Sequence, residues 1–187
     1  MKRLYPSFAP PSKWRNSEQS RWLAESEWKE IRKKILARDD FTCAYCGYRS
    51  EKFQIADHIN GDPEDHSEGN LQVVCQMCNL IKHAGQGCEV QGIVDVYQEC
   101  LYTQNDIIRI TRELRNQGLT DNDVITYLGL KKKVPFKMER EYLRKLYGFV
   151  TSRKSAGEMY NRWLEYHKKH MKGRQQLPAT SIKSFVE

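Results

Sequence analysis

Residues 41–85 read FTCAYCGYRSEKFQIADHINGDPEDHSEGNLQVVCQMCNLIKHAG, and the fold turns on this stretch. It holds two Cys-x-x-Cys pairs, Cys43 with Cys46 and Cys75 with Cys78, separated by 28 residues. The chain opens on MKRLYPSFAPPSKW, which is basic and has no apolar segment of signal-peptide length, so the expectation is a cytosolic protein with reduced thiols. In that setting two such knuckles read as metal ligands. Each turns two thiolates to one side, and together they complete the tetrahedron that zinc prefers. Four protein ligands leave no position for water, so this zinc is expected to hold the fold and do no chemistry. Cys88 and Cys100 fall outside the pattern and read as ordinary buried or free thiols.

The residues between the knuckles read as a hairpin. FQIADHI is short and β-prone, NGDPEDHSEGN is dense in turn formers, and LQVV is a second short strand. CQMCNLIKHAG then reads as a short helix stopped by Gly85. Asp57 and His58 end the first strand, and Asn70 opens the second. Asn79 and His83 are four residues apart on the predicted helix and so share a face. A carboxylate, an amide oxygen and a ring nitrogen meeting at one point would suit a second, divalent cation. Strict alternation along a strand sends Asp57 and His58 to opposite faces, so a joint role requires the strand to bend or end there. His66, in the turn-rich loop, and His167 and His170, near the C-terminus, read as nonligands.

Outward from this centre, Pro6, Pro10 and Pro11 predict an extended, mobile arm. Ala24, Trp28, Ile31 and Ile35 recur at helical spacing and predict a helix to Arg38, with Trp28 as a core anchor. Downstream, Ile107, Ile110 and Leu114 share one face of a helix ending near Gly118. Thr120 and Asp123 form a capping box that opens a second helix, carrying Val124 and Leu128 and ended by Gly129. A third is expected from Pro135 to Tyr147, with Met138, Tyr142 and Leu146 opposite Lys137, Arg140 and Arg144. Ser155 and Glu158 form a further capping box. The expected class is α+β and mostly helical, a small zinc-braced hairpin-and-helix module between an N-terminal helix and a C-terminal helical module.

The 187 residues carry a net charge of +7, distributed as +6 over residues 1–38, −8 over 39–104 and +9 over 105–187. An acidic middle suits a cation, and basic flanks suit a phosphate backbone. A mean hydropathy of −0.77 and the lack of any long apolar run exclude a membrane-spanning chain.

Taken together, RDDFTCAYCG, ADHI, EGNLQVVC and CNLIKH, in that order from about Trp28 to Gly85, resemble the HNH endonucleases of the subgroup braced by two Cys-x-x-Cys knuckles. The resemblance implies a ββα-metal fold, with His58 as general base, Asp57 and Asn79 as metal ligands, and Asn70 bracing the loop that presents His58. His83 matches a position where some members carry an additional metal-binding histidine, and the last family letter is Asn here. The implied activity is hydrolysis of DNA to 5′-phosphate and 3′-hydroxyl ends with Mg²⁺ or another divalent cation, in a restriction, defence or mobile-element nuclease.

The chemistry is coherent on its own terms. A neutral imidazole accepts the proton of the attacking water, and a divalent cation stabilises the phosphate and departing oxygen as a Lewis acid.

The expected organisation is thus an extended basic arm over residues 1–23, a nuclease module over 24–104 and a basic helical module over 105–187, resembling a helix-turn-helix unit. Lys131, Lys132, Lys133, Lys137, Arg140 and Arg144 are the expected nucleic-acid contacts. The expected partner is double-stranded DNA, and a palindromic target would favour a homodimer. Two other readings stay open: a noncatalytic zinc-braced nucleic-acid-binding protein that keeps the frame, and an RNA substrate.

Overall fold

The computed structural model describes residues 1–9, 25–152 and Glu165. Helix α1, Glu25–Arg38, presents Trp28, Ile31 and Ile35 to a two-stranded antiparallel hairpin, as its apolar spacing requires. Strands β1, Gln54–His58, and β2, Leu71–Cys75, pair with Asp57 opposite Gln72 and His58 opposite Leu71. Helix α2, Gln76–Lys82, follows β2 directly and packs against both strands. The hairpin therefore lies between two helices. Ala56, Leu71 and Val73 face α1, while Ile55 and Val74 belong to the core on the other side. Alternation along five-residue strands buried on both faces produces this division.

Beyond α2 the chain makes a π-helical turn, Gln86–Gln91, and enters β3, Val94–Glu99. This strand is the centre of a three-stranded antiparallel sheet in the order β4-β3-β5, with β4 at Lys131–Val134 and β5 at Tyr147–Val150. Helices α3, Gln104–Asn116, and α4, Asp121–Leu128, complete this part of the molecule, with a one-turn helix α5 at Arg140–Leu143. The predicted capping box is present: the Thr120 hydroxyl accepts from the Asp123 amide, and the Asp123 carboxylate accepts from the Thr120 amide. Gly129 ends α4 at φ +63°, where a Cβ would also lie 2.6 Å from Leu101 Cγ.

The cysteine knuckles lie inside the main core rather than at its edge. Cys43, Cys46, Cys75 and Cys78 cluster with Leu4, Ile81, Val94, Ile108 and Val150, so the four cysteines join the hairpin module to β3, α3 and β5. A second cluster of Ile107, Val124, Leu128 and Phe149 fills the space between α3, α4 and the sheet.

Several expectations are corrected. The segment from Pro135 to Tyr147 is not a long amphipathic helix. Only Arg140–Leu143 is helical, while Lys131–Val134 and Tyr147–Val150 are strands, so one helical turn between two strands replaces the expected third helix. Tyr147, Phe149 and Val150 are β-prone, and pairing with β3 decides their state. The KKKV segment is an edge strand, where charged side chains are tolerated because one side faces water. Helix α2 ends at Lys82, before Gly85, which is itself right-handed helical; Gly92 at φ +63° ends the turn that follows. Residues 1–9 are docked against the body of the molecule. Lys2 N donates to Ala44 O, Leu4 N to Asn105 Oδ1, and Ser7 N to Ile81 O, and Leu4 is buried. The rest of the predicted arm, the capping box at Ser155 and Glu158, His167 and His170 lie outside the described residues.

Candidate metal centre and the Asp57 and His58 faces

Thr42 and Arg49 bridge the first knuckle, and the Cys43 amide donates to Tyr48 O at 3.0 Å. Gly47 takes φ +74°, which lets the chain turn tightly after Cys46. The second pair straddles the junction of β2 and α2. All four Sγ atoms lie within 4.8 Å of one another and all four residues are buried. Cys46 Sγ and Cys75 Sγ stand 3.7 Å apart, against the ~3.8 Å edge of a tetrahedron built on ~2.3 Å zinc–sulfur bonds.

Thiol hydrogen bonds from Cys43, Cys75 and Cys78 pull Cys46 far below the usual thiol range, whereas those with Cys43, Cys46 and Cys75 push Cys78 far above it. Four thiols this close cannot all ionise without a cation among them, and the donor set fits structural zinc. Arg112 of α3 adds an outer charge: its guanidinium nitrogens lie 3.2 Å from Cys75 Sγ and 3.7 Å from Cys46 Sγ, and its carbon sits 3.7 Å over the Tyr48 ring.

Asp57 faces α2. It is 5% exposed, and each carboxylate oxygen has partners. Oδ2 accepts from Lys82 Nζ at 2.5 Å and from Gln72 Nε2 at 3.1 Å, while Oδ1 meets His83 Nε2 at 3.2 Å. Lys82 also donates to the backbone oxygen of His58. Gln72 Nε2 in addition reaches Tyr45 Oη at 3.1 Å, and its Oε1 accepts from Lys2 Nζ at 2.7 Å. Burial alone would raise the Asp57 carboxyl. The His83 hydrogen bond and the Lys82 charge outweigh it and hold Asp57 below the usual carboxylate range, so the carboxylate is ionised at neutral pH.

His58 faces the opposite way. Its ring stacks on Trp28 of α1 with centroids 5.8 Å apart and planes at 17°, and its Nε2 lies 3.1 Å from His66 Nδ1. The alternation that separates Ala56 from Ile55 separates His58 from Asp57, and the strand ends at His58. Asn70 ties down the connecting loop: its Oδ1 accepts from the Asn60 amide at 3.1 Å, and its Nδ2 donates to Asn60 Oδ1 and to Asp65 O, each at 2.9 Å.

Of the expected site residues, Asp57 and His83 are therefore brought together. Asn79 lies on α2, one turn before His83 at its C-cap, and its side chain makes no hydrogen bond to Asp57 or His83. Among the described residues no second group of three His, Cys, Asp or Glu side chains converges beside the four cysteines. Lys82, Gln72, Tyr45, Trp28 and His66 were not anticipated as neighbours of the site. Only Gln72 left a signal, as the residue across the hairpin from Asp57.

The expected nucleic-acid contacts fall into three groups. Lys131, Lys132 and Lys133 lie on β4, where Lys132 pairs with Glu99, and Lys133 with Asp95 at 2.7 Å. Arg140 and Arg144 sit on and just after α5, bordering a cleft beside His83. Lys137 lies 5.3 Å over the Tyr142 ring.

No family model matches the chain. Over 70 residues it is 29% identical to the type 4 apparatus protein DotN of Legionella pneumophila, a match that takes in 37% of this chain. The chain thus spans about a third of the length of that relative, 32%. No helix among the described residues is long and apolar enough to cross a membrane.

Proposed function

We propose that the chain is a metal-dependent DNA endonuclease of the HNH type, with a ββα-metal module framed by structural zinc. The observation that carries this reading is a buried, ionised carboxylate, Asp57, paired at 3.2 Å with His83 beside a basic cleft. Two ligand atoms bound cis on an octahedral ion with ~2.1 Å bonds stand ~3.0 Å apart, so the Asp57 Oδ1 and His83 Nε2 pair fits a divalent cation, with Asn79 as the further ligand implied by resemblance. An imidazole in the set suits Mn²⁺ or Ni²⁺ as well as Mg²⁺.

When bound, the ion supplies Lewis-acid stabilisation of the scissile phosphate. His58 is the proposed base. Its Nε2 lies 3.1 Å from His66 Nδ1, and its ring stacks on Trp28, so two neighbours position the imidazole. Asn70 holds the loop that carries His66. Because Asp57 and His58 lie on opposite faces of β1, the phosphate must straddle the strand end at His58 and not enter from one side.

The deciding experiment incubates supercoiled plasmid with the zinc-loaded protein and magnesium, manganese or nickel. Wild type is expected to nick and linearise it. His58→Ala is expected to lose cleavage by ~100-fold or more while keeping DNA binding. No cleavage with any of the three ions would overturn the nuclease reading.

A noncatalytic zinc-braced protein is the second reading. Two observations favour it: Lys82 satisfies the Asp57 carboxylate internally at 2.5 Å, and the chain is similar to a protein named as an apparatus component. On this reading His58→Ala changes little.

A further inference from the structure

A cleft of about 350 Å³ opens beside His83. Its walls come from the docked N-terminal segment, the turn at Ile59–Gly61, the end of α2 and the region of α5. Four lining residues carry permanent positive charge, Arg3, Lys82, Arg140 and Arg144, and no Asp or Glu lines it. Lys82 is engaged by Asp57. Arg144 lies 5.4 Å over the Tyr5 ring and reaches Glu141 at 3.6 Å. Among the described residues neither Arg3 nor Arg140 pairs with a carboxylate, although both are exposed. The β4 lysines differ, since Lys132 and Lys133 have acidic partners on β3. Uncompensated cations lining a concavity focus an electrostatic field on an anion, and Tyr5, 38% exposed, adds an aromatic face.

We infer that this cleft takes the phosphodiester backbone of a nucleic-acid strand, with Arg3, Arg140 and Arg144 on phosphates and Tyr5 under a sugar or base. The inference deepens the proposed nuclease reading and rests on it for the class of ligand. A strand fits better than an isolated phosphate for two reasons. Arg140 and Arg144 are spaced by about one helical turn, so they meet successive groups of a linear anion. His83, which meets Asp57 at 3.2 Å, also lines the cleft, so a strand lying in it passes beside that pair.

The test follows a fluorescein-labelled single-stranded oligonucleotide by anisotropy across a sodium chloride series, using zinc-loaded full-length protein without added magnesium or manganese. Removing one phosphate-binding arginine is expected to flatten the slope of log affinity against log salt by ~0.7 for a single strand. Arg140→Ala with Arg144→Ala is thus expected to flatten it by ~1.4 and Arg3→Ala by about half as much. Lys132→Ala with Lys133→Ala should flatten it less than either. Arg140→Lys with Arg144→Lys keeps the charge and should keep most of the slope, which separates the loss of two cations from a misfolded chain. An alanine pair with the wild-type slope, or inorganic phosphate competing as well as the oligonucleotide at equal phosphate concentration, would overturn the inference. Binding is read without the hydrolytic ion. A chain that binds through these arginines and never cuts would leave the cleft assignment standing and remove only the nuclease, whereas cutting with an unchanged slope would remove only the cleft.

Discussion

Lys82 Nζ and Asp57 Oδ2 stand 2.5 Å apart, with the side chains 12% and 4% exposed. The pair joins α2 to the end of β1 and places a fixed cation where a divalent ion would have to compete. Both charges are largely withdrawn from water, so each depends on the other for compensation.

Removing one member of such a pair leaves the other uncompensated. Lys82→Met is expected to lower unfolding stability by ~3 kcal/mol, and the double variant Lys82→Met with Asp57→Asn to recover much of that loss. Urea denaturation of the three proteins measures this. A loss below ~1 kcal/mol for Lys82→Met would mean that the pair behaves as a solvent-screened surface contact.

Arg112 lies against two cysteine sulfurs and under its cation–π partner Tyr48. Neutralising part of the charge of a four-thiolate centre should tighten metal retention, so Arg112→Ala is expected to weaken zinc binding ~10- to 100-fold. Competition with a chromophoric chelator reads the change directly. Equal zinc release from variant and wild type would show that the guanidinium only packs there.

Three hydrogen bonds from the Asn70 side chain hold Asn60 and Asp65. Asn70→Ala should free the loop while the hairpin remains, since the Ile59 amide still donates to Asn70 O. Amide exchange at Asn60 and its neighbours is expected to rise ~10-fold or more, with the exchange of β2 amides unchanged. Uniform acceleration across the hairpin would instead mark Asn70 as a determinant of global stability.

Asp121 fastens α4 to α3 and to the end of β5: Arg115 donates to it at 2.6 Å and the Ser152 amide at 2.7 Å. Burial raises its carboxyl, and the Ser152 and Arg115 hydrogen bonds lower it by more, so the folded-state value lies below the ordinary one. The stabilisation from its charge is therefore complete above its unfolded-state pKa of ~3.9 and is lost as pH falls through the lower folded value. Asp121→Asn is expected to cost ~2 kcal/mol at pH 5 to 8, with the gap to wild type closing below pH ~4. Thermal melts of both proteins across this range would decide the point, and a gap that stays constant to pH ~2.5 would show that the ionised form contributes nothing special.

The hairpin, α1, α3 and α4 were legible because their signals are local. Apolar spacing of Trp28, Ile31 and Ile35, the turn-rich loop before Asn70, and the Thr120 and Asp123 box each fix a few consecutive residues. The strands β4 and β5 were not legible. KKKV has no alternation, and Tyr147–Val150 follows a helical pattern; both become strands by pairing with β3. At the site, strand alternation foretold the separation of Asp57 from His58. It gave no indication that His66 would meet His58 or that Lys82 would meet Asp57, because those contacts depend on how the loop and α2 fold back over the hairpin.

By itself the sequence determined the four-cysteine centre, the hairpin and the helix that follows it, since ligand spacing and periodicity act within short reach of the chain. Tertiary structure alone decided which way each titratable side chain of that module is answered, and which arginines line a cleft and which lysines are neutralised at a sheet edge. Those outcomes are set by contacts between segments distant in sequence, and no local pattern encodes them.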